Sequence, residues 1–129
     1  MNRKKKKFTL EYPLNCTVAS LYSKLSTEEG LESWFADRVV QNENRFVFFW
    51  HKAPQDAEMI AQRENKYVRF RWSDDEEPDT YFELRITPQE LTGDVSLSVT
   101  DFAEAGEYED AVQMWENGIK SLKRALGCR

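Results

Sequence analysis

Apolar and polar residues alternate over much of this chain, and a period of two is typical of β-strands with one buried face. Residues 8–12 show it first, with Phe8, Leu10 and Tyr12 apolar, and Pro13 is expected to end that strand. Turn signals, including one at 53–56, separate the later segments, so short sequential connections favour an antiparallel meander. The further strands are predicted at 38–41, 45–50, 57–63, 66–72, 80–87 and 95–101.

A period of three to four residues marks two short helices after the first strand. The first has apolar residues at 18, 21, 22 and 25, with Thr17 as its predicted N-cap. Residues Ser26 to Glu29 form the pattern of a capping box, so a second helix is predicted to start at Ser26. Its apolar stripe ends in two adjacent aromatic residues, Trp34 and Phe35.

A long helix is predicted at 107–126, with acidic residues in its first turn, basic residues in its last turn and Gly127 at the C′ position. Its apolar stripe is broad enough to cover the apolar face of the sheet. We therefore predict an α+β fold, a curved antiparallel sheet wrapped around a long C-terminal helix, in which Trp34 and Phe35 fill the gap between the two. The stripe comprises Tyr108, Ala111, Val112, Trp115, Ile119, Leu122 and Leu126.

Three passages of the chain resemble the START-like superfamily, also called SRPBCC or helix-grip. They read SLYSKLSTEEGLESWFAD, YVRFRWSDDEEPDTYFELRITPQELTGDVSLSVTDFAE and MWENGIKSLKRAL. Within the superfamily they look most similar to domains like the activator of the heat-shock chaperone ATPase. The strand RFVFFWHKA lacks the glycines common in that family, and Met114 stands where a glycine often precedes the helix tryptophan. The large Phe46, Phe48 and Trp50 side chains therefore predict a smaller cavity than relatives have.

The resemblance implies non-enzymatic binding of a small apolar ligand in a cavity between the sheet and the C-terminal helix. The alternatives are a protein-docking module of the chaperone-activator type and a cyclase-like enzyme. Gly118, within the long helix, either makes room for a ligand or allows close packing of helix on sheet. The candidate cavity residues are Trp34, Phe35, Phe48, Trp50, Met59, Phe70, Trp72, Phe82, Leu84, Leu97, Trp115, Gly118 and Ile119.

Length and charge narrow the expectations further. A chain of 129 residues with a net charge of -5 is expected to form a single domain, residues 1–129, with residues 1–6 as a flexible basic arm. The acidic balance argues against a nucleic-acid partner. No apolar run reaches the ~20 residues of a membrane span, and no signal peptide precedes the first strand, so a cytoplasmic location is expected.

Candidate catalytic and metal-binding residues are few. His51 is either a general base or a solvent-exposed residue at the end of a strand. Cys16 precedes a helix, but the sequence supplies neither a base nor an oxyanion site for it, and Cys16 and Cys128 are expected to stay reduced. The acidic turn at 73–79 lacks the spacing of a calcium loop and is expected to be solvated. No catalytic residue, metal or cofactor is therefore predicted.

Overall fold

Seven antiparallel strands form one curved sheet in the computed structural model, which describes residues 4–128. Strands β2 to β7 follow one another as a meander, and β1 lies beside β7, giving the order β1-β7-β6-β5-β4-β3-β2. The predicted meander is confirmed, with the first strand paired to the last. The strands are β1 (Lys6–Leu14), β2 (Arg38–Asn42), β3 (Arg45–Trp50), β4 (Ala53–Arg63), β5 (Tyr67–Trp72), β6 (Phe82–Pro88) and β7 (Val95–Ala103).

Within residues 4–128 the fold also contains three α-helices, α1 (Val18–Ser26), α2 (Glu28–Glu32) and α3 (Tyr108–Leu126), and one 3₁₀ turn directly before α3. Thr17 caps α1 as predicted, since its side chain accepts the N–H of Ser20 at 3.1 Å. Gly127 ends α3 with a left-handed φ of 70°, and its N–H donates to the carbonyl of Arg124. The predicted fold class is confirmed.

The cap of α2 differs from the prediction by one residue. Ser26 is the last residue of α1, and its hydroxyl donates to the carbonyl of Tyr22 at 2.7 Å. Thr27 caps α2 instead, accepting the N–H of Gly30 at 2.9 Å. The capping-box prediction was wrong because Glu29 lies in the second position of α2, whereas the reciprocal bond needs an acidic side chain in the third.

Prolines interrupt the strands less than the sequence suggested. Pro13 pairs with Ser96, and β1 continues to Leu14. β1 is an edge strand, where the missing N–H of a proline removes no ladder bond if it faces outward. Pro88 likewise lies in β6, opposite Val95 at the end of the ladder.

The turn predicted at 53–56 is also wrong, because those residues belong to β4. The chain reverses two residues earlier, at His51 and Lys52, whose φ values are 51° and 72°. Two successive positive φ angles define the tight turn that best suits the twist of a hairpin. Trp50 therefore pairs directly with Ala53, and β4 starts there.

The core lies between the apolar face of the sheet and the helices. Trp115, Ile119 and Leu122 of α3 are buried, as their stripe predicted, whereas Tyr108 at the start of the helix is 44% exposed and packs edge-on against Phe8. The bulkiest fully buried side chains are Phe46, Phe48, Phe70, Phe82, Leu14, Leu21, Leu25, Leu31, Leu84, Leu97, Leu122 and Val68.

A cluster of three charged side chains links two strands on the outer face of the sheet. Glu83 is 7% exposed and accepts from Arg69 at 2.7 Å and Arg85 at 3.0 Å. Burial alone would raise the pKa of Glu83, but the hydrogen bonds and charges of the two arginines outweigh burial and hold that pKa below its usual value. The carboxylate thus links β5 and β6 across the face that the alternation predicted to be polar.

The acidic turn is more ordered than expected, because Lys5 and Arg71 reach it from outside. The side chain of Asp75 is 8% exposed and accepts from Lys5 Nζ at 3.0 Å, while Arg71 donates to the carbonyl of Glu77 at 2.7 Å. The expectation of a solvated turn was wrong at Asp75. Of the predicted flexible arm, residues 1–3 lie outside the described residues, and Lys6 begins β1.

Candidate functional site

A cleft of about 840 Å³ lies between one side of α3, the end of α2 and the aromatic ends of β3 and β5. Apolar and aromatic side chains dominate its walls, and it opens to solvent beside His51 and Met114, the latter 72% exposed. Its lining consists of Trp34, Phe35, Trp50, His51, Gln55, Trp72, Asp101, Ala111, Met114, Trp115, Asn117, Gly118 and Ser121.

The candidate cavity residues divide into two sets. Six border the cleft: Trp34, Phe35, Trp50, Trp72, Trp115 and Gly118. The other seven are buried core residues that do not border it: Phe48, Met59, Phe70, Phe82, Leu84, Leu97 and Ile119. The three large β3 residues that predicted a smaller cavity have two different locations. Phe46 and Phe48 are buried in the core, whereas Trp50 forms part of the cleft wall.

Phe35 lies at the centre of the aromatic wall. Its ring centroid is 5.4 Å from that of Trp34, 5.5 Å from Trp50 and 5.9 Å from Trp115, and its backbone carbonyl accepts the indole N–H of Trp50 at 3.0 Å. The indole N–H of Trp34 donates to the carbonyl of Lys24 at 2.7 Å. These bonds fix the orientation of the rings, and the Trp34–Phe35 pair lies between sheet and helix as predicted, beside a cleft that it leaves open.

Asp101, near the end of β7, places a carboxylate in this aromatic surrounding. One of its oxygens accepts the indole N–H of Trp115 at 2.8 Å, and the other accepts the N–H of Phe102 at 2.8 Å. Burial raises the pKa of the Asp101 carboxyl, even though both hydrogen bonds and the charge of Lys5 act to lower it. Of the residues that the structure describes, no lysine or arginine lines the cleft, and Asp101 is the acidic side chain of its wall.

This arrangement of a curved sheet, a long helix and an intervening cleft matches one known family. The family model of the START-like superfamily domain matches residues 1–128. The chain belongs to the START-like superfamily. The resemblance seen in the sequence is confirmed. In this fold the sheet wraps around α3, and its strands β3 and β5 carry the cleft residues Trp50 and Trp72.

Solved structures resemble this START-like domain closely in fold. A Bacteroides fragilis protein determined by NMR is 42% identical, with a TM-score of 0.68, over 95% of this chain and 91% of its own. The Aha1 dimer from Colwellia psychrerythraea reaches 0.78 at 16% identity, over 94% of this chain and 96% of its own. DynU16, from the dynemicin biosynthetic locus, reaches 0.78 at 15% identity over 94% of this chain and 47% of its own. At such low identity the last two show the fold alone. No curated protein matches the chain.

Sequence reasoning missed seven residues of the cleft. Asp101 was detectable, since the alternation that buries Val95, Leu97 and Val99 places it on the same face. Ala111, Met114 and Ser121 were detectable from Gly118, because they lie three, four or seven positions from it on one side of the helix. Gln55 was missed because residues 53–56 were predicted to form a turn, whereas they belong to β4. The missed residues are His51, Gln55, Asp101, Ala111, Met114, Asn117 and Ser121.

The other candidate chemistries find little support in the START-like domain. Burial, together with the nearby Cys128 and Asp94, raises the pKa of Cys16 to about 11, so this residue is a thiol at neutral pH. His51 is exposed at the rim of the cleft. Within residues 4–128, no group of three or more potential ligands has metal-binding geometry, and no helix is long and apolar enough to cross a bilayer.

Proposed function

We propose that this START-like domain binds a small apolar molecule in the cleft between the sheet and α3. The observation that carries the proposal is an aromatic-walled cleft of about 840 Å³ in a protein of 129 residues. Sites for small molecules usually span roughly 300–1,000 Å³ and are lined mainly by apolar and aromatic side chains. The cleft has that size and that lining.

The hydrogen bonds of the wall support an apolar ligand in particular. The indole N–H groups of Trp34, Trp50 and Trp115 all donate to acceptors within the protein. These three rings therefore present carbon surface to a ligand, with no free donor among them. A ligand that buries about 200 Å² of apolar surface against such a wall gains roughly 5 kcal/mol, at about 25 cal/mol per Å².

The alternative, a protein-docking module of the chaperone-activator type, requires an exposed apolar surface or a free strand edge. The exposed large apolar residues of the described chain are dispersed over β2, β4, the β6–β7 loop and α3. At the β2 edge, the outward N–H groups of Val39 and Gln41 donate to the Glu32 and Glu28 carboxylates at 2.9 and 2.7 Å. The β2 edge therefore offers few donors to an added strand.

The test uses a neutral fluorescent probe, N-phenyl-1-naphthylamine, with two variants of Gly118. Gly118→Leu extends a branched side chain into the cleft beside Trp34 and should abolish probe binding while the protein stays folded. The matched control is Gly118→Ala, whose Cβ would lie 3.6 Å from the Trp34 ring, an ordinary contact that leaves the cleft open. Equal probe binding by the Gly118→Leu variant, or none by the parent protein, would refute the proposal.

A further inference from the structure

We propose that the ligand of this cleft carries a cationic head, an amine or a quaternary ammonium on an apolar body, and that Asp101 is its counter-ion. This inference rests on the proposed function, because it names the class of molecule that the same cleft accepts. Three independent features of the wall support it: the sign of its charge, the arrangement of its rings and the free capacity of the carboxylate.

The charge of the lining has one sign. Asp101 is acidic, no lysine or arginine among residues 4–128 lines the cleft, and the titratable His51 lies at its rim. Within residues 4–128, Asp101 forms no ion pair, since the nearby Lys5 pairs with Asp75 at 3.0 Å. The negative charge of Asp101 would repel an anionic ligand there and attract a cationic one.

Aromatic rings adjoin this carboxylate. Trp115 donates its indole N–H to Asp101, and its ring centroid is 5.9 Å from that of Phe35. Trp50 follows at 5.5 Å from Phe35, and Trp72 lies 6.1 Å from Trp50. Cations are attracted to aromatic faces within about 6 Å of the ring centroid, most strongly to tryptophan. A continuous wall of indole and phenyl rings that ends at a carboxylate is the composition of an ammonium-binding site.

Asp101 also has acceptor capacity to spare. A carboxylate offers about four lone-pair positions, and Asp101 uses one on each oxygen, toward Trp115 and Phe102. Burial disfavours its charged form in the empty protein, and a bound cation compensates for that burial. The cationic head group of the ligand would thus form the ion pair that Asp101 does not form with any of the described residues.

The test compares three molecules that share one aromatic body and differ in charge: 1-naphthylmethylammonium, 1-naphthalenemethanol and 1-naphthylacetate. Their dissociation constants are measured on the parent protein by NMR chemical-shift titration. We expect the ammonium to bind at least tenfold more tightly than the alcohol, and the acetate to bind most weakly. Asp101→Asn keeps an oxygen for the Trp115 N–H and should reduce the affinity for the ammonium to that for the alcohol, with the alcohol changed less than twofold.

The two proposals fail in different ways. If the alcohol binds the parent in the cleft and the ammonium binds no more tightly, the cationic inference is refuted and the proposed function stands. If none of the three molecules shifts the resonances of cleft residues, the proposed function fails and this inference with it. An unchanged ammonium-to-alcohol ratio in a folded Asp101→Asn variant also refutes the role of Asp101. The ratio in the parent decides the matter even where the variant does not fold.

Discussion

Glycine-to-alanine substitution should have opposite effects on stability at two helical glycines. It should stabilise the protein at Gly118 in α3 and destabilise it at Gly30, which is buried in α2. In a helix, alanine is favoured over glycine by about 1 kcal/mol. At Gly118 the added Cβ would meet only the Trp34 ring, at 3.6 Å, which is an ordinary van der Waals distance. Gly118→Ala should therefore raise the free energy of unfolding by about 1 kcal/mol, or the Tm by about 3–5 °C.

At Gly30 the same methyl group has no room. Its Cβ would lie 2.1 Å from the carbonyl oxygen of Ser23, 2.7 Å from the Cα of Lys24 and 2.7 Å from the Thr27 hydroxyl. Two of these atoms are backbone, so α1 and α2 must move apart, and overpacking of this kind costs about 1–3 kcal/mol. Displacing Thr27 also weakens the cap of α2, which is worth about 1 kcal/mol. After the gain of about 1 kcal/mol in helix propensity is subtracted, the net expectation is a loss of about 1–3 kcal/mol.

Urea unfolding followed by tryptophan fluorescence and by circular dichroism measures both variants against the parent. Gly106→Ala serves as a control, because its Cβ would meet nothing within 4 Å and it lies outside the α-helices. A gain in stability at both Gly30 and Gly118 would show that propensity, and not the contact between α1 and α2, decides the outcome. A Gly30→Ala variant as stable as the parent would refute the reasoning directly.

Three further substitutions test the site and the sheet. Trp115→Ala should lower the unfolding free energy by about 3 kcal/mol, because a side chain only 8% exposed is lost and Asp101 loses its donor; a loss under about 1 kcal/mol in urea would contradict this. The stability of Asp101→Asn relative to the parent should rise with pH: burial raises the folded pKa of Asp101 above the ordinary 3.8, so ionisation destabilises the parent as pH rises from 3.8 through that folded pKa. Thermal melts should show this difference constant below about pH 3.8 and growing in the variant's favour above it, and a difference that does not change with pH would exclude titration as its cause. Glu83→Gln should cost about 1–2 kcal/mol at neutral pH, discounted for the partly exposed arginines. Its folded pKa lies below the ordinary 4.5, so this stability is present above that value and lost as pH falls through the folded pKa; equal acid unfolding midpoints for parent and variant would contradict this.

The sequence predicted the elements well because strand alternation and helical period are local properties. Val68 and Phe70 are buried on one face of β5, as their spacing indicated. The errors arose where a residue's role depends on distant neighbours. Pro13 fits within β1 because β1 is an edge strand, and Asp75 is shielded in part because Lys5, 70 positions away in the sequence, reaches it.

The candidate site was predicted in part for a similar reason. Periodicity assigns a side chain to a face of the sheet, but it does not say whether that side chain lies beneath the helices or beside the open cleft. Phe70 and Trp72 share one face of β5, yet Phe70 is fully buried and Trp72 borders the cleft. The alternation of β7 places Asp101 on the apolar face, but alternation alone does not indicate that a carboxylate at that position borders a cleft.

The pairing of β1 with β7 has a consequence for how the chain folds during synthesis. The hydroxyls of Thr9 and Thr100 lie 3.3 Å apart across this ladder, although 91 positions separate them in the sequence. At about 5–20 residues per second, a ribosome needs roughly 5–18 s to make the chain between them. Throughout that interval β1 has no partner strand, whereas β2 to β5 can already pair as local hairpins. Closure of the sheet should therefore be a late, slow step set by this long-range contact, and a nascent chain halted before β7 should expose β1 to proteases and chaperones.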